Sequence, residues 1–151
     1  MGVLHGGCLC GGVRFEISGP LTGIGHCHCS ICRRAQGTAF RTRARVRREH
    51  FRLLSGEALI TFFQSSPDYH RGFCRVCGGP AYTWNGPGSE HGRAYPPSLE
   101  TVGIALGSLD GDPGQRPAMH FFVADKAPWD SITDDLPQYA ATPLQGPPIQ
   151  P

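Results

Sequence analysis

With 151 residues, 39% of them hydrophobic and 17% charged, the chain is long enough to bury a core without disulfides, and its composition excludes a disordered or fibrous protein. The 21 glycines and 14 prolines favour strands and turns over long helices, so a small, mainly β protein is expected. A formal charge of +2 conceals a basic first half and an acidic second half, and bulk charge therefore singles out no class of partner.

The opening 1-MGVLHGGCLC-10 has no basic segment leading into a long apolar run, and no later apolar stretch approaches membrane-spanning length. A cytoplasmic protein with no membrane partner is expected. Gly6 stands where a myristoylation signal beginning at Gly2 requires Ser or Thr. Next, 12-GVRFEIS-18 alternates as a strand does, with Val13, Phe15 and Ile17 on one face and Arg14 and Glu16 on the other, and Gly19-Pro20 ends it. The stretch 30-SICRRAQG-37 predicts one helical turn, capped by Ser30 and stopped by Gly37.

In 40-FRTRARVRR-48, Arg41, Arg43, Arg45 and Arg47 recur at the strand period, which leaves Phe40, Thr42, Ala44 and Val46 to face inward. Further strands are predicted at 51–56, 58–65, 79–85, 101–110 and 118–125. Between them, 85–98 is crowded with Gly and Pro and predicts a long surface loop. Tyr82, Trp84 and Trp129 are expected in the core rather than in a site. A single domain over 1–135 is expected, followed by an extended, mostly unpacked tail over 136–151.

The seven cysteines are odd in number and closely grouped, which in a chain without a secretory signal argues for metal ligands over a disulfide framework. Cys8 and Cys10 in 6-GGCLCGG-12, with Cys74 and Cys77 in 73-FCRVCGG-79, supply four thiolates in glycine-flanked pairs, the pattern of a closed tetrahedral zinc site. Such a site would tie together segments more than sixty residues apart and add about 10–16 kcal/mol of apparent binding energy to folding. Cys27, Cys29 and Cys32 follow C-x-C-x-x-C spacing and can share a second zinc. Its fourth ligand is not in the motif. Spacing leaves open a nearby histidine (His26 or His28), a distant one (His50, His70 or His120), or an exogenous water or thiol. His28, between two ligand cysteines, is expected to point away from the ion they share.

Taken together, G-G-C-x-C-G-x-V-R-F at 6–15, C-H-C-x-x-C-R-R at 27–34 and F-C-x-x-C-G at 73–78 resemble the glutathione-dependent formaldehyde-activating enzyme family. The likeness continues through 120-HFFVADKAPWDSITDDLPQY-139. This resemblance implies an Mss4-like, zinc-stabilised β-tent fold. It also implies two zinc ions per chain, a structural one held by Cys8, Cys10, Cys74 and Cys77 and a catalytic one held by Cys27, Cys29 and Cys32. The fourth place on the catalytic ion is then for a thiol or water. The implied activity is that of a carbon-sulfur lyase whose partners are glutathione and a small aldehyde, formaldehyde, joined as S-hydroxymethylglutathione.

For an anionic thiol such as glutathione, Arg33 and Arg34 beside the ligands are the candidates to bind its carboxylates. The stripe from Arg41 to Arg47 reads as a solvated strand face. His28 is a candidate proton carrier, weighed against a solvent-facing or supporting place beside the ligands. A rival reading makes the chain a zinc-ribbon-like binding module, with two structural zincs and an arginine stripe that meets nucleic acid or an acidic protein. The acidic second half and the lack of a recognition helix oppose it.

Overall fold

The computed structural model describes residues 2–86 and 100–149, which form two compact units: one takes the chain up to Thr22 and Ala44–Gln115, the other Gly23–Arg43 and everything from Arg116 on. The fold is mainly β, as composition led us to expect. Most of the expected loop at 85–98 falls on residues 87–99, outside the described residues. Among the described residues no helix is long and apolar enough to cross a membrane.

In the first unit, β1 (Leu4–Gly7), β2 (Arg14–Ile17) and β5 (Phe51–Ser55) make an antiparallel three-stranded sheet in that order. The alternation of β2 is as expected: Val13, Phe15 and Ile17 are fully buried, while Arg14 pairs with Asp110 and Glu16 with Arg52, its cross-strand neighbour. The strand starts later than the sequence suggests because the Val13 N–H donates to the Cys8 sulfur at 3.3 Å, so the chain is still turning around that sulfur when it reaches Val13. Phe15 meets Phe51 across the sheet at 5.3 Å between ring centroids.

The same unit holds β6 (Ile60–Ser66), β7 (Tyr69–Cys74), β8 (Pro80–Asn85) and β9 (Thr101–Ala105), ordered β9-β8-β7-β6. Strands β1 and β7 are not among those the sequence pattern predicts. The strand expected over 101–110 ends at Ala105, and the chain then makes a 3-10 turn at Leu106–Ser108. Tyr82 and Trp84 are core residues as expected, and His70 stacks on Trp84 at 3.8 Å. Trp129 does not follow them: it is 71% exposed.

A tight turn at Gly56 joins β5 to the next segment with φ at +83°, and a Cβ there would lie 2.3 Å from the Gly12 carbonyl oxygen. Gly56→Ala is therefore expected to destabilise the protein by about 2 kcal/mol or more, since it combines a left-handed backbone with a backbone clash. Urea unfolding followed by circular dichroism reads this directly, and an unchanged midpoint would show that the turn relaxes without cost.

The second unit is built on β3 (Thr22–Cys27), the helix α1 (Ser30–Gln36), the start of β4 (Arg41–Arg47) and the two-residue β10 (His120–Phe121), with strand order β10-β3-β4. The expected strand at 118–125 survives only as β10 because Phe122 takes a left-handed conformation, φ +56°, and starts a 3-10 turn. The segment after Leu136, expected to be extended and mostly unpacked, makes a 3-10 turn at Pro143–Gln145 and is hydrogen-bonded to β10 and the residues beside it. His120 N–H donates to Pro137 O at 2.8 Å, Tyr139 N–H to His120 O at 2.8 Å and Phe122 N–H to Ala141 O at 2.8 Å.

The arginine stripe is not the continuous solvated face expected of it. Ala44 and Val46 are fully buried and Arg45 and Arg47 exposed, but Arg41 is only 3% exposed and Arg43 half-buried. Both faces of β4 are covered in the second unit. Thr42 bonds His26 on one side, and the Arg43 guanidinium lies 4.3 Å from the Phe121 ring centroid on the other, a cation–π contact. The unbroken basic stripe that the nucleic-acid reading relied on is absent.

Candidate metal centres

In the first unit Cys8, Cys10, Cys74 and Cys77 come together. Cys8 and Cys10 lie in the turn after β1, Cys74 ends β7, and Cys77 follows in the turn toward β8. Gly78, at φ +72°, supplies the left-handed step that folds this turn around its sulfurs. All four Sγ atoms lie within 4.8 Å of one another; Cys8 and Cys10 are 3.6 Å apart, and Cys10 and Cys74 3.8 Å. A tetrahedron with zinc–sulfur bonds of about 2.3 Å has edges of about 3.8 Å, so this donor set fits zinc. Hydrogen bonds from the Cys10 and Gly79 amides pull the Cys77 thiol down to about 6, toward the thiolate a metal needs.

In the second unit, Cys27 ends β3, Cys29 caps α1 and Cys32 lies in its first turn. The N-cap is thus Cys29 and not Ser30: its sulfur accepts a hydrogen bond from the Cys32 N–H at 3.3 Å, which draws Cys29 and Cys32 to one end of the helix. Gly37 stops the helix as expected, in the left-handed conformation, with its N–H donating to Arg33 O at 2.8 Å. The helix runs seven residues rather than the single turn expected.

The three Sγ atoms of Cys27, Cys29 and Cys32 also lie within 4.8 Å of one another. Cys27 and Cys32 are buried against Phe121, with Met119, Phe122 and Tyr139 packed around them, and Cys29 is half-exposed. The neighbouring Cys29 and Cys32 sulfurs, and then burial, push the Cys27 thiol strongly upward. Three thiolates can share this space only with a cation between them, and a soft, all-sulfur set suits zinc.

Among the described residues of this unit no histidine or carboxylate joins the three sulfurs. His28 turns away from them as expected, but inward: it is fully buried, its Nε2 is 2.8 Å from His120 Nδ1, and burial followed by the charge of His120 pushes its pKa down to about 4. His26 and His120 stand instead with Asp134, their donor atoms within 4.8 Å of one another. His50 and His70 belong to the first unit. Of the two candidate arginines, Arg34 is exposed, whereas Arg33 is half-buried and its Nε–H is buried without a hydrogen-bond partner. No local pattern in the sequence marks the group around His120: His26 and His120 stand out only as candidate fourth ligands, and nothing in the spacing points to Asp134.

Residues 3–125 match the family described as "Glutathione-dependent formaldehyde-activating enzyme". Among solved structures, a Rhodobacter sphaeroides protein determined as a structural-genomics target is similar to this chain, with 25% sequence identity and a TM-score of 0.52. The match covers 72% of this chain and 89% of that one.

Proposed function

This chain belongs to the glutathione-dependent formaldehyde-activating enzyme family, and from that premise we propose that it joins a thiol such as glutathione to a small aldehyde, acting as a carbon-sulfur lyase in the reverse direction. The observation that carries this reading is the incomplete sulfur set at Cys27, Cys29 and Cys32, which no protein donor of the second unit's described residues completes. The four-sulfur group of Cys8, Cys10, Cys74 and Cys77 has a full tetrahedral complement, and we assign it the structural role.

Cys27, Cys29 and Cys32 would hold a zinc ion, which would favour the thiolate form of an incoming thiol. The residues around it provide the rest. Phe121, Met119, Phe122 and Tyr139 pack against the cysteines and keep water from the buried side. Arg33 and the more exposed Arg34 offer guanidinium groups to the carboxylates of the thiol. In the reaction the thiol proton leaves to solvent, the sulfur forms a bond to the aldehyde carbon, and the carbonyl oxygen gains a proton to become the hydroxyl of the S-hydroxymethyl adduct.

The test is the rate of adduct formation from glutathione and formaldehyde, followed by NMR with zinc-loaded protein against a protein-free control. Acceleration that depends on the protein supports the proposal, and a rate equal to the control rejects it. Arg33→Ala is expected to raise KM for glutathione about tenfold or more with kcat little changed, because a charge-assisted hydrogen bond made equally in ground and transition states contributes roughly 1.5–3 kcal/mol. A matching loss from Arg34→Ala and none from Arg33→Ala would assign the carboxylate contact to the exposed side chain.

A further inference from the structure

Strand β10 pairs with β3 in parallel, His120 opposite His26 and Phe121 opposite Cys27. Successive side chains of a strand point to opposite faces, so this register separates two chemistries. Phe121 packs with Cys27 on one face, while the His26 and His120 rings lie side by side on the other, 4.8 Å between centroids. Asp134 reaches the same place from the following segment, its carboxylate oxygens 3.0 and 3.1 Å from His120 Nε2. Two imidazoles and one carboxylate thus converge within 4.8 Å, with no cysteine among them.

We propose that His26, His120 and Asp134 form a separate binding site for a divalent first-row transition metal. Two histidines and a carboxylate are a recognised ligand set for such ions, distinct from the soft sulfur groups. Metal–nitrogen and metal–oxygen bonds of about 2.0–2.2 Å place neighbouring donors roughly 3–3.5 Å apart, close to the spacing of His120 and Asp134.

The surroundings are those of a ligand site. A histidine that binds metal through one ring nitrogen normally commits the other to a hydrogen bond that fixes the ring. Here His26 Nδ1 is 2.8 Å from Thr42 Oγ1, and His120 Nδ1 is 2.8 Å from His28 Nε2. Asp134 is held in turn by the Leu136 N–H, which donates to Oδ1 at 3.0 Å; this bond, with that from His120, keeps the carboxyl below its usual range and ionised at neutral pH. The Asp134 side chain is 47% exposed, so metal and water have access. A hydrogen bond that merely pinned the last segment would need His120 and Asp134 but not His26.

Binding has a second consequence, which follows from proton positions alone. With both imidazoles neutral and no metal bound, a His120 ring that donates from Nε2 to the Asp134 carboxylate has its Nδ1 free to accept from His28 Nε2–H. The buried, unpartnered Nδ1 of His28 is then a lone pair. A metal on His120 Nε2 moves that proton to Nδ1, which now donates to His28 Nε2 and leaves the His28 proton on Nδ1. The number of protons is unchanged and both tautomers are inverted.

Equilibrium dialysis of the whole protein against Zn2+ or Co2+ tests the site. Wild type is expected to bind one equivalent more than Asp134→Ala and one more than His26→Gln, with far-UV circular dichroism unchanged in both. The readout is the difference between proteins, so it holds whether or not the sulfur groups take up metal. Thr42→Val is expected to weaken this one equivalent about 10–100-fold by freeing the His26 ring, and 15N shifts of the His28 ring should report the change of tautomer on metal addition. Equal metal content in wild type and Asp134→Ala, or loss in Asp134→Ala with retention in His26→Gln, would overturn the proposal.

Discussion

Cys74→Ser is expected to leave the chain unfolded at room temperature. Cys74 is fully buried at the end of β7, and its sulfur lies 3.8 Å from that of Cys10, 64 positions earlier in the chain. In our reading these sulfurs hold the structural zinc, whose apparent binding free energy of about 10–16 kcal/mol is comparable with the entire stability of a typical domain, about 5–15 kcal/mol. Serine removes the thiolate and leaves a hydroxyl in a buried place with no metal to bind. Far-UV circular dichroism and urea unfolding measure the effect, and a strong chelator acting on wild type should produce the same state. A cooperative transition near the wild-type midpoint would show that the four sulfurs do not carry the fold.

Cys29→Ser should behave in the opposite way, with the fold kept and adduct formation lost. Cys29 is the N-cap of α1, its sulfur accepting from the Cys32 N–H. Serine is among the best N-cap residues, so its hydroxyl can take over this bond and the helix has no reason to melt. On the proposed reading the replacement removes one of three sulfurs from a set already one short, and losing several kcal/mol of thiolate stabilisation corresponds to a fall on the order of 10²–10³ in kcat/KM. Steady-state kinetics beside a thermal melt separates the two effects. If Cys29→Ser unfolds the chain as severely as Cys74→Ser, both sulfur groups are structural and the proposed activity falls with them.

Both variants depend on contacts whose sequence signals differ. The cysteine groups were legible because each pair or trio is a short local pattern, and a metal site needs little more from the chain than ligands at close spacing with glycines to let the backbone turn. The strand β2 was legible for a similar reason: Val13, Phe15 and Ile17 alternate, and one covered face is all that such a pattern requires. Strand β3, whose sequence is TGIGHC, has no such alternation and became visible only through its neighbours. Arg41 and Arg43 show the converse failure. Their period was read correctly as a strand, but period does not say whether the second face meets solvent or other chain.

The mainly β class, the grouping of the cysteines and the stop of α1 at Gly37 are written locally in the chain, because these follow from composition, close spacing and the backbone freedom of single residues. Which side chains stand across from one another is set by long-range packing. His28 and His120 are 92 positions apart, and neither they nor His26 and Asp134 carry any mark of the others. Their meeting depends on the parallel register of a two-residue strand, a long-range pairing that no local pattern encodes.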